Sequence, residues 1–140
     1  MTIQRTLSII KPDAMASKLS GSIIKFIEEK GFKILVQKKI TLTRKQAEAF
    51  YAVHKERPFF GELVDFMLSG PISVQVLEAD KAVVSYREIM GSTNPEEAKP
   101  DTIRKLFGQN IQCNAVHGSD SEENAVIETS FFFSQLELLA

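Results

Sequence analysis

The chain has 140 residues, of which 44% are hydrophobic and 25% charged, with a formal net charge of −1. That balance excludes a disordered segment and leaves no general attraction for nucleic acid or an anionic membrane, so any anion site has to be built locally. This length predicts one domain over residues 1–140, with a folded surface of about 7,300 Å² and roughly two-thirds of the unfolded chain's surface buried.

Cys113 is the only cysteine, which excludes an intramolecular disulfide and fits a reducing compartment. The opening "MTIQRTLSIIKPDAM" lacks the pattern of a signal peptide, and no apolar run approaches the roughly 20 residues needed to span a bilayer. The expectation is a soluble cytoplasmic protein.

Ile3, Leu7 and Ile9 alternate, so residues 2–10 read as a strand, stopped by a turn at "KPDA". Ile23, Ile24 and Ile27 mark a helical stripe closed by Lys30 and Gly31. Phe32, Ile34, Val36, Ile40 and Leu42 alternate over a long second strand. Thr43 and Gln46 form a capping-box pattern that opens a helix through Tyr51. "ERPFFGE" is a break, and Leu63, Val64, Met67 and Leu68 make a further helix ended by "SGP". Ile72, Val74 and Val76 give a third strand, and Asp80 is expected to cap a helix that ends at "MGSTNP".

From Gly91 to Gln112 the pattern weakens to a short helical turn around Thr102–Phe107. Long irregular connections in small domains are often functional, and this one carries cations. A short strand ending near His117 and a helix from Ser119 complete the chain. The order is that of a split βαβ arrangement. The apolar tail "SFFFSQLELLA" suits either packing over its own core or a contact between subunits.

Chemistry concentrates in "NAVHGSDSEENAVIE", residues 114–128, which holds one of only two histidines. Gly118 removes bulk beside the His117 ring, which would let a ligand approach closely. Ser119 and Glu122 match the S-x-x-E capping box, so the following helix would present its N–H groups nearby, where anions are stabilised. A neutral imidazole beside an anion site is a plausible nucleophile toward phosphorus.

On its own, "HGSDS" also fits a capped turn, or half of a hydrolase site using Ser119 or Ser121. Two histidines and one cysteine give no metal-ligand spacing. His54, in "AVHKERP", reads as a surface residue at a helix end. Lys11, Arg87 and Arg104 are candidate phosphate cations, and Thr93 and Asn94 candidate donors. No glycine-rich phosphate loop of either common type is present, so side chains would have to do this work.

"IIKPDA", "RPFF", "MGSTNP", "TIR" and "NAVHGSDS" occur in this order, and together the chain resembles the nucleoside diphosphate kinases from about residue 3 to 132. The resemblance implies an α+β fold, a ferredoxin-like split βαβ with a four-stranded antiparallel sheet and surrounding helices. It implies that His117 carries a phosphoryl group from a nucleoside triphosphate, typically ATP, to a nucleoside diphosphate in a reversible ping-pong reaction. Glu128 would hold the other ring nitrogen, which requires the last helix to pack back along the histidine strand.

By the same resemblance Lys11 contacts the sugar 3′-hydroxyl and the transferred phosphate, Tyr51 donates a hydrogen bond near it, and Asn114 holds the 3′-hydroxyl. Arg87, Thr93 and Arg104 grip the outer phosphates. Phe59 stacks on the base with Ile111 opposite, and Leu63 lines that pocket. Mg2+ is expected to arrive with the nucleotide rather than on protein ligands. The implied partners are nucleoside di- and triphosphates and further copies of the chain, with a homotetramer favoured and a hexamer the alternative, and with no obligate nucleic acid and no membrane.

Five positions depart from the pattern: Tyr86, Asp101, Lys105, Leu106 and Cys113. None replaces a residue assigned to chemistry. A scaffold that binds nucleotide without transfer, and a carrier that passes its phosphoryl group to another protein, are the competing classes.

Overall fold

The computed structural model describes residues 2–139. Strand β1 (Ile3–Ile10) leads straight into a short helix α1 (Pro12–Ala16). The expected turn at "KPDA" is thus a helix start, because Pro12 sits in the first turn, where its missing N–H costs nothing. Helix α2 (Ser20–Glu29) ends at Lys30, and Gly31 takes a φ of +94° that favours glycine.

Strand β2 (Lys33–Ile40) stops short of Leu42. Its register against the third strand slips between Ile34 and Val36. Such a bulge reverses the alternation. Ile34 therefore packs with Phe32 in one core cluster, while Leu35, Val36 and Ile40 pack into the other. The single apolar face read from the sequence is in fact two.

Helix α3 (Arg44–Phe50) has the predicted capping box, with Thr43 Oγ1 accepting from the Gln46 N–H and Gln46 Oε1 from the Thr43 N–H. A tight turn, Ala52–His54, follows Tyr51. Helix α4 (Phe60–Met67) begins inside the stretch read as a break. Strand β3 (Ile72–Asp80) is longer than its apolar signal.

Asp80 does not cap the next helix. It ends β3, and its Oδ1 accepts from the Thr2 N–H at 2.6 Å. Lys81, at a left-handed φ of +49°, turns the chain into α5 (Ala82–Met90). Helix α6 (Ile103–Phe107) is capped by Thr102. Strand β4 (Val116–Gly118) precedes α7 (Glu122–Phe132) and α8 (Gln135–Leu138).

The four strands form one antiparallel sheet in the order β2-β3-β1-β4, an α+β, ferredoxin-like arrangement. Side chains alternate across it and feed two cores. Leu7 and Ile9 join Ala47, Val64, Met67 and Phe132 from α3, α4 and α7 on one face. Ile10 joins Ile23, Ile27, Tyr86, Met90 and Ile103 from α2, α5 and α6 on the other. Strand β4 lies at the edge where both helix layers end, so a side chain there is reachable from either layer. Of the tail, Phe132 and Phe133 are buried, whereas Leu136 and Leu139 are exposed.

Candidate active site

His117 sits at the centre of β4, opposite Ile9 of β1. Helix α7 folds back along the strand, as Glu128 requires. Counted from the true helix start at Glu122, Glu128 lies only about 9 Å along the axis. Its Oε1 is 2.9 Å from His117 Nε2. A carboxylate there is satisfied by an N–H, so the proton resides on Nε2 and Nδ1 keeps its lone pair.

Ser119 does not cap α7. The cap is Ser121, whose Oγ accepts from the Asn124 N–H at 3.1 Å. Ser119 is fully buried. Its Oγ donates to the same Glu128 Oε1 at 2.9 Å and accepts from the Leu7 N–H at 3.3 Å. One oxygen of Glu128 is therefore fixed by the histidine and the serine together. Phe50 completes the support, edge-on to the imidazole at 5.6 Å.

Tyr51, Arg87, Thr93, Arg104, His117 and Glu128 all line one cavity of about 240 Å³, with Phe50, Val53, His54, Gly118, Asp120 and Asn124. Burial, reinforced by the Glu128 charge, pushes the Tyr51 hydroxyl far above its ordinary value, so it remains a donor. The Arg104 guanidinium donates to Gly91 O at 3.1 Å and Val116 O at 2.9 Å. Its buried Nε has no partner among the described residues. Burial lowers its pKa, and the Arg87 charge contributes in the same direction.

Lys11 and Asn114 stand just behind this wall. Lys11 Nζ donates to Asn114 Oδ1 at 2.8 Å and to Gln112 O at 3.2 Å. Asn114 Nδ2 donates in turn to Thr93 O at 3.0 Å. Desolvation brings the Lys11 pKa down to about 8, Asp13 opposing and Arg104 assisting. The cations are thus linked to the cavity by a chain of named bonds.

Phe59, Leu63 and Ile111 are not among the residues lining the cavity. Phe59 and Ile111 are exposed, and Leu63 packs at the margin of the core. Phe59 lies 5.7 Å from His54, which stacks on Tyr51 at 6.5 Å. His54, read from the sequence as an ordinary surface residue, therefore lies at the cavity. The signal was its i, i+3 spacing from Tyr51, which puts both rings on one side of a helical turn.

The role first given to Gly118 also changes. A Cβ there would meet Tyr86 Cδ2 at 2.7 Å and Met90 Sδ at 2.8 Å, so the glycine makes room for packing beneath the strand, not for a ligand. Among the described residues no group of three or more His, Cys, Asp or Glu side chains could hold a metal ion. Asp120 and Glu128 are the carboxylates at the cavity, and Glu128 is already engaged.

Known proteins are similar to this chain over nearly its whole length. A family model described as nucleoside diphosphate kinase matches residues 4–138. The chain is 57% identical over 139 residues to a nucleoside diphosphate kinase of Novosphingobium aromaticivorans and 59% identical over 138 to one of Hyphomonas neptunium, covering 99% of both chains in each case. It is also similar to the solved Aquifex aeolicus nucleoside diphosphate kinase, with a TM-score of 0.93 at 48% identity, covering 97% of this chain and 99% of that one. An apo structure of the Encephalitozoon cuniculi enzyme gives 0.90 at 36% identity, covering 94% and 90%. The chain belongs to the nucleoside diphosphate kinase family.

Proposed function

We infer that the protein is a nucleoside diphosphate kinase that moves a terminal phosphoryl group from a nucleoside triphosphate to a nucleoside diphosphate through His117. The observation that carries this reading is the pair of unlike imidazole nitrogens. Nε2 is held by Glu128, and Nδ1 is left as a nucleophile on a residue that lines the cavity. The Nδ1 lone pair attacks the γ-phosphorus, the Nδ1–P bond forms, and the P–O bond to the β-phosphate breaks, releasing the diphosphate. A terminal oxygen of a second diphosphate then attacks the same phosphorus, the new P–O bond forms as the Nδ1–P bond breaks, and the imidazole returns neutral. The cycle is reversible and ping-pong because one site serves donor and acceptor in turn.

Catalysis of this kind rests on positioning and on charges that offset those of the phosphates. Arg87 and Arg104 supply charge, with Thr93 beside them, and Tyr51 supplies a hydroxyl that stays protonated. Lys11 and Asn114 serve the sugar 3′-hydroxyl, with Lys11 also directed at the transferred phosphate. His54 adds a ring at the mouth. A space of about 240 Å³ suits a phosphate tail rather than a whole nucleotide, since pockets that enclose small ligands run to about 300 Å³ and more. The base then lies outside, between the exposed Phe59 and Ile111 and near Leu63. Apolar faces of this kind discriminate weakly among bases.

Mg2+ would fit this donor set as a companion of the nucleotide, held by phosphate and water oxygens, with Asp120, which accepts from Asn124 Nδ2, as the second carboxylate at the cavity. When bound it offsets phosphate charge. We place the protein in the cytoplasm as a homotetramer of single-domain chains. Among the described residues no helix is long and apolar enough to cross a membrane.

The test is labelling with ATP and Mg2+ followed by mass spectrometry at alkaline pH. The expected result is a phosphoryl group on His117 that is discharged by added GDP, with label and exchange both lost in His117→Ala. Exchange that survives this substitution overturns the assignment. Absence of label points to a scaffold, and label that nucleotide cannot discharge points to a protein-directed carrier.

A further inference from the structure

Strand β4 is three residues long and is paired on one side only, to β1. A ladder that short is weak support for a nucleophile that must be aligned with a phosphate. Besides the Arg104 bond to Val116 O, the strand is supported from below. Tyr86, in the middle of α5, is completely buried, and its ring lies against the space where Gly118 lacks a side chain. Gly118 follows His117 directly, and Arg87, which follows Tyr86, lines the cavity. One ring thus abuts the residue after the nucleophile and precedes one phosphate cation.

The ring is itself pinned. Its hydroxyl lies 2.7 Å from Ser8 Oγ, and Ser8 is the residue of β1 paired with Gly118. Ser8 Oγ accepts from Gln75 Nε2 at 2.8 Å, and Gln75 Oε1 accepts from Ser73 Oγ at 2.8 Å. Gln37 Nε2 completes the chain by donating to Ser73 Oγ at 3.2 Å. This line of polar groups crosses the sheet from β2 to α5 through the apolar cluster that Tyr86 belongs to. Phe32 meets the ring edge-on at 5.9 Å and closes its remaining side.

A buried polar chain costs more than apolar packing wherever it is incompletely satisfied, and what it offers in return is a single geometry.

We propose that Tyr86, held through Ser8, is a positioning residue for phosphoryl transfer: it sets the height of His117 on β4 relative to Arg87. The proposal rests on His117 being the phosphoryl carrier. It acts on the bond-making step and not on nucleotide affinity, because the Tyr86 hydroxyl points into the sheet, toward Ser8.

The test compares the full chain with Tyr86→Phe, Ser8→Ala and the double variant, each first checked for cooperative thermal unfolding. Tyr86→Phe removes one oxygen and keeps the ring, so the packing survives. Ser8→Ala removes the same bond from the other partner, together with the bond that Ser8 Oγ accepts from Gln75 Nε2. The rate of His117 phosphorylation by ATP and Mg2+ is measured in a single turnover, per site titrated as phosphohistidine, alongside the Kd for ADP.

Each single variant should slow phosphorylation by about tenfold while the Kd stays within about twofold, a loss of the kind small misplacements produce. The double variant should be no slower than Ser8→Ala alone, because the bond between Tyr86 and Ser8 is already lost there. Unchanged rates per titrated site, singles whose losses multiply in the double, or a Kd that worsens along with the rate each overturn the proposal. Wild-type protein that never labels overturns the phosphoryl-transfer reading itself, whereas labelled wild type with unaffected variants overturns only the role of Tyr86.

Discussion

Lys11 shows how burial writes a pH dependence into a single side chain. Its amine is drawn down to about 8 chiefly by desolvation. The cation is the form that can face a phosphate, and it is lost as pH rises through that value. The expected kcat/KM therefore falls on the alkaline side with an apparent pKa near 8, tenfold per pH unit beyond it. Lys11→Gln should be slow at pH 7 and lack this limb. A limb unmoved in the variant assigns it to another group. Glu128→Gln keeps the shape and loses the charge that favours a proton on Nε2. It should lower turnover by on the order of 10²-fold with nucleotide binding kept, and equal turnover counts against its orienting role. Lys11, Thr93, Arg104, Asn114 and His117 lie within the motif words, whereas Tyr51, Arg87 and Glu128 were assigned from the resemblance as a whole. Ser119, His54 and Phe50 were not legible, since each acquires its part from a neighbour distant in sequence or one turn away.

At the scale of elements, what could be read depended on whether the bond was local. Thr43 and Gln46 close their box within four residues, and the pattern identified it. Asp80 has the right residue type for a cap but is taken by Thr2, 78 positions away, while a left-handed Lys81 makes the turn. Ser119 and Ser121 both suit an N-cap, and only the fold decides between them. Their substitution separates cap from site. Ser121→Ala should cost about 1 kcal/mol in urea unfolding and leave turnover per folded molecule unchanged. Ser119→Ala removes the second bond to Glu128 and leaves the Leu7 N–H without its serine acceptor. It should lower kcat as well as stability. If Ser121→Ala instead lowers kcat and Ser119→Ala acts on stability alone, the helix begins where the S-x-x-E spacing first placed it.

The whole molecule raises the matter of its tail, which the sequence left between packing over its own core and a contact between subunits. Phe132 and Phe133 close over the core beside Leu7 and Ile9. Leu136 and Leu139, 82% and 75% exposed, remain outside on the segment that packs against β2. Strand β2 is itself an edge of the sheet, with a row of backbone groups unpaired on its outer side among the described residues. Open edges and clustered apolar side chains are features that folded chains tend to cover. With a net charge of only −1, little repulsion keeps copies apart. A second copy of the chain is the occupant this argues for, consistent with the tetramer proposed for the protein. Light scattering during size-exclusion chromatography should give four times the chain mass of 15.7 kDa. Leu136→Asp combined with Leu139→Asp should reduce that mass while circular dichroism stays unchanged, because neither side chain belongs to the core. A monomeric wild type overturns the assembly, and a variant that remains tetrameric moves the contact away from the tail.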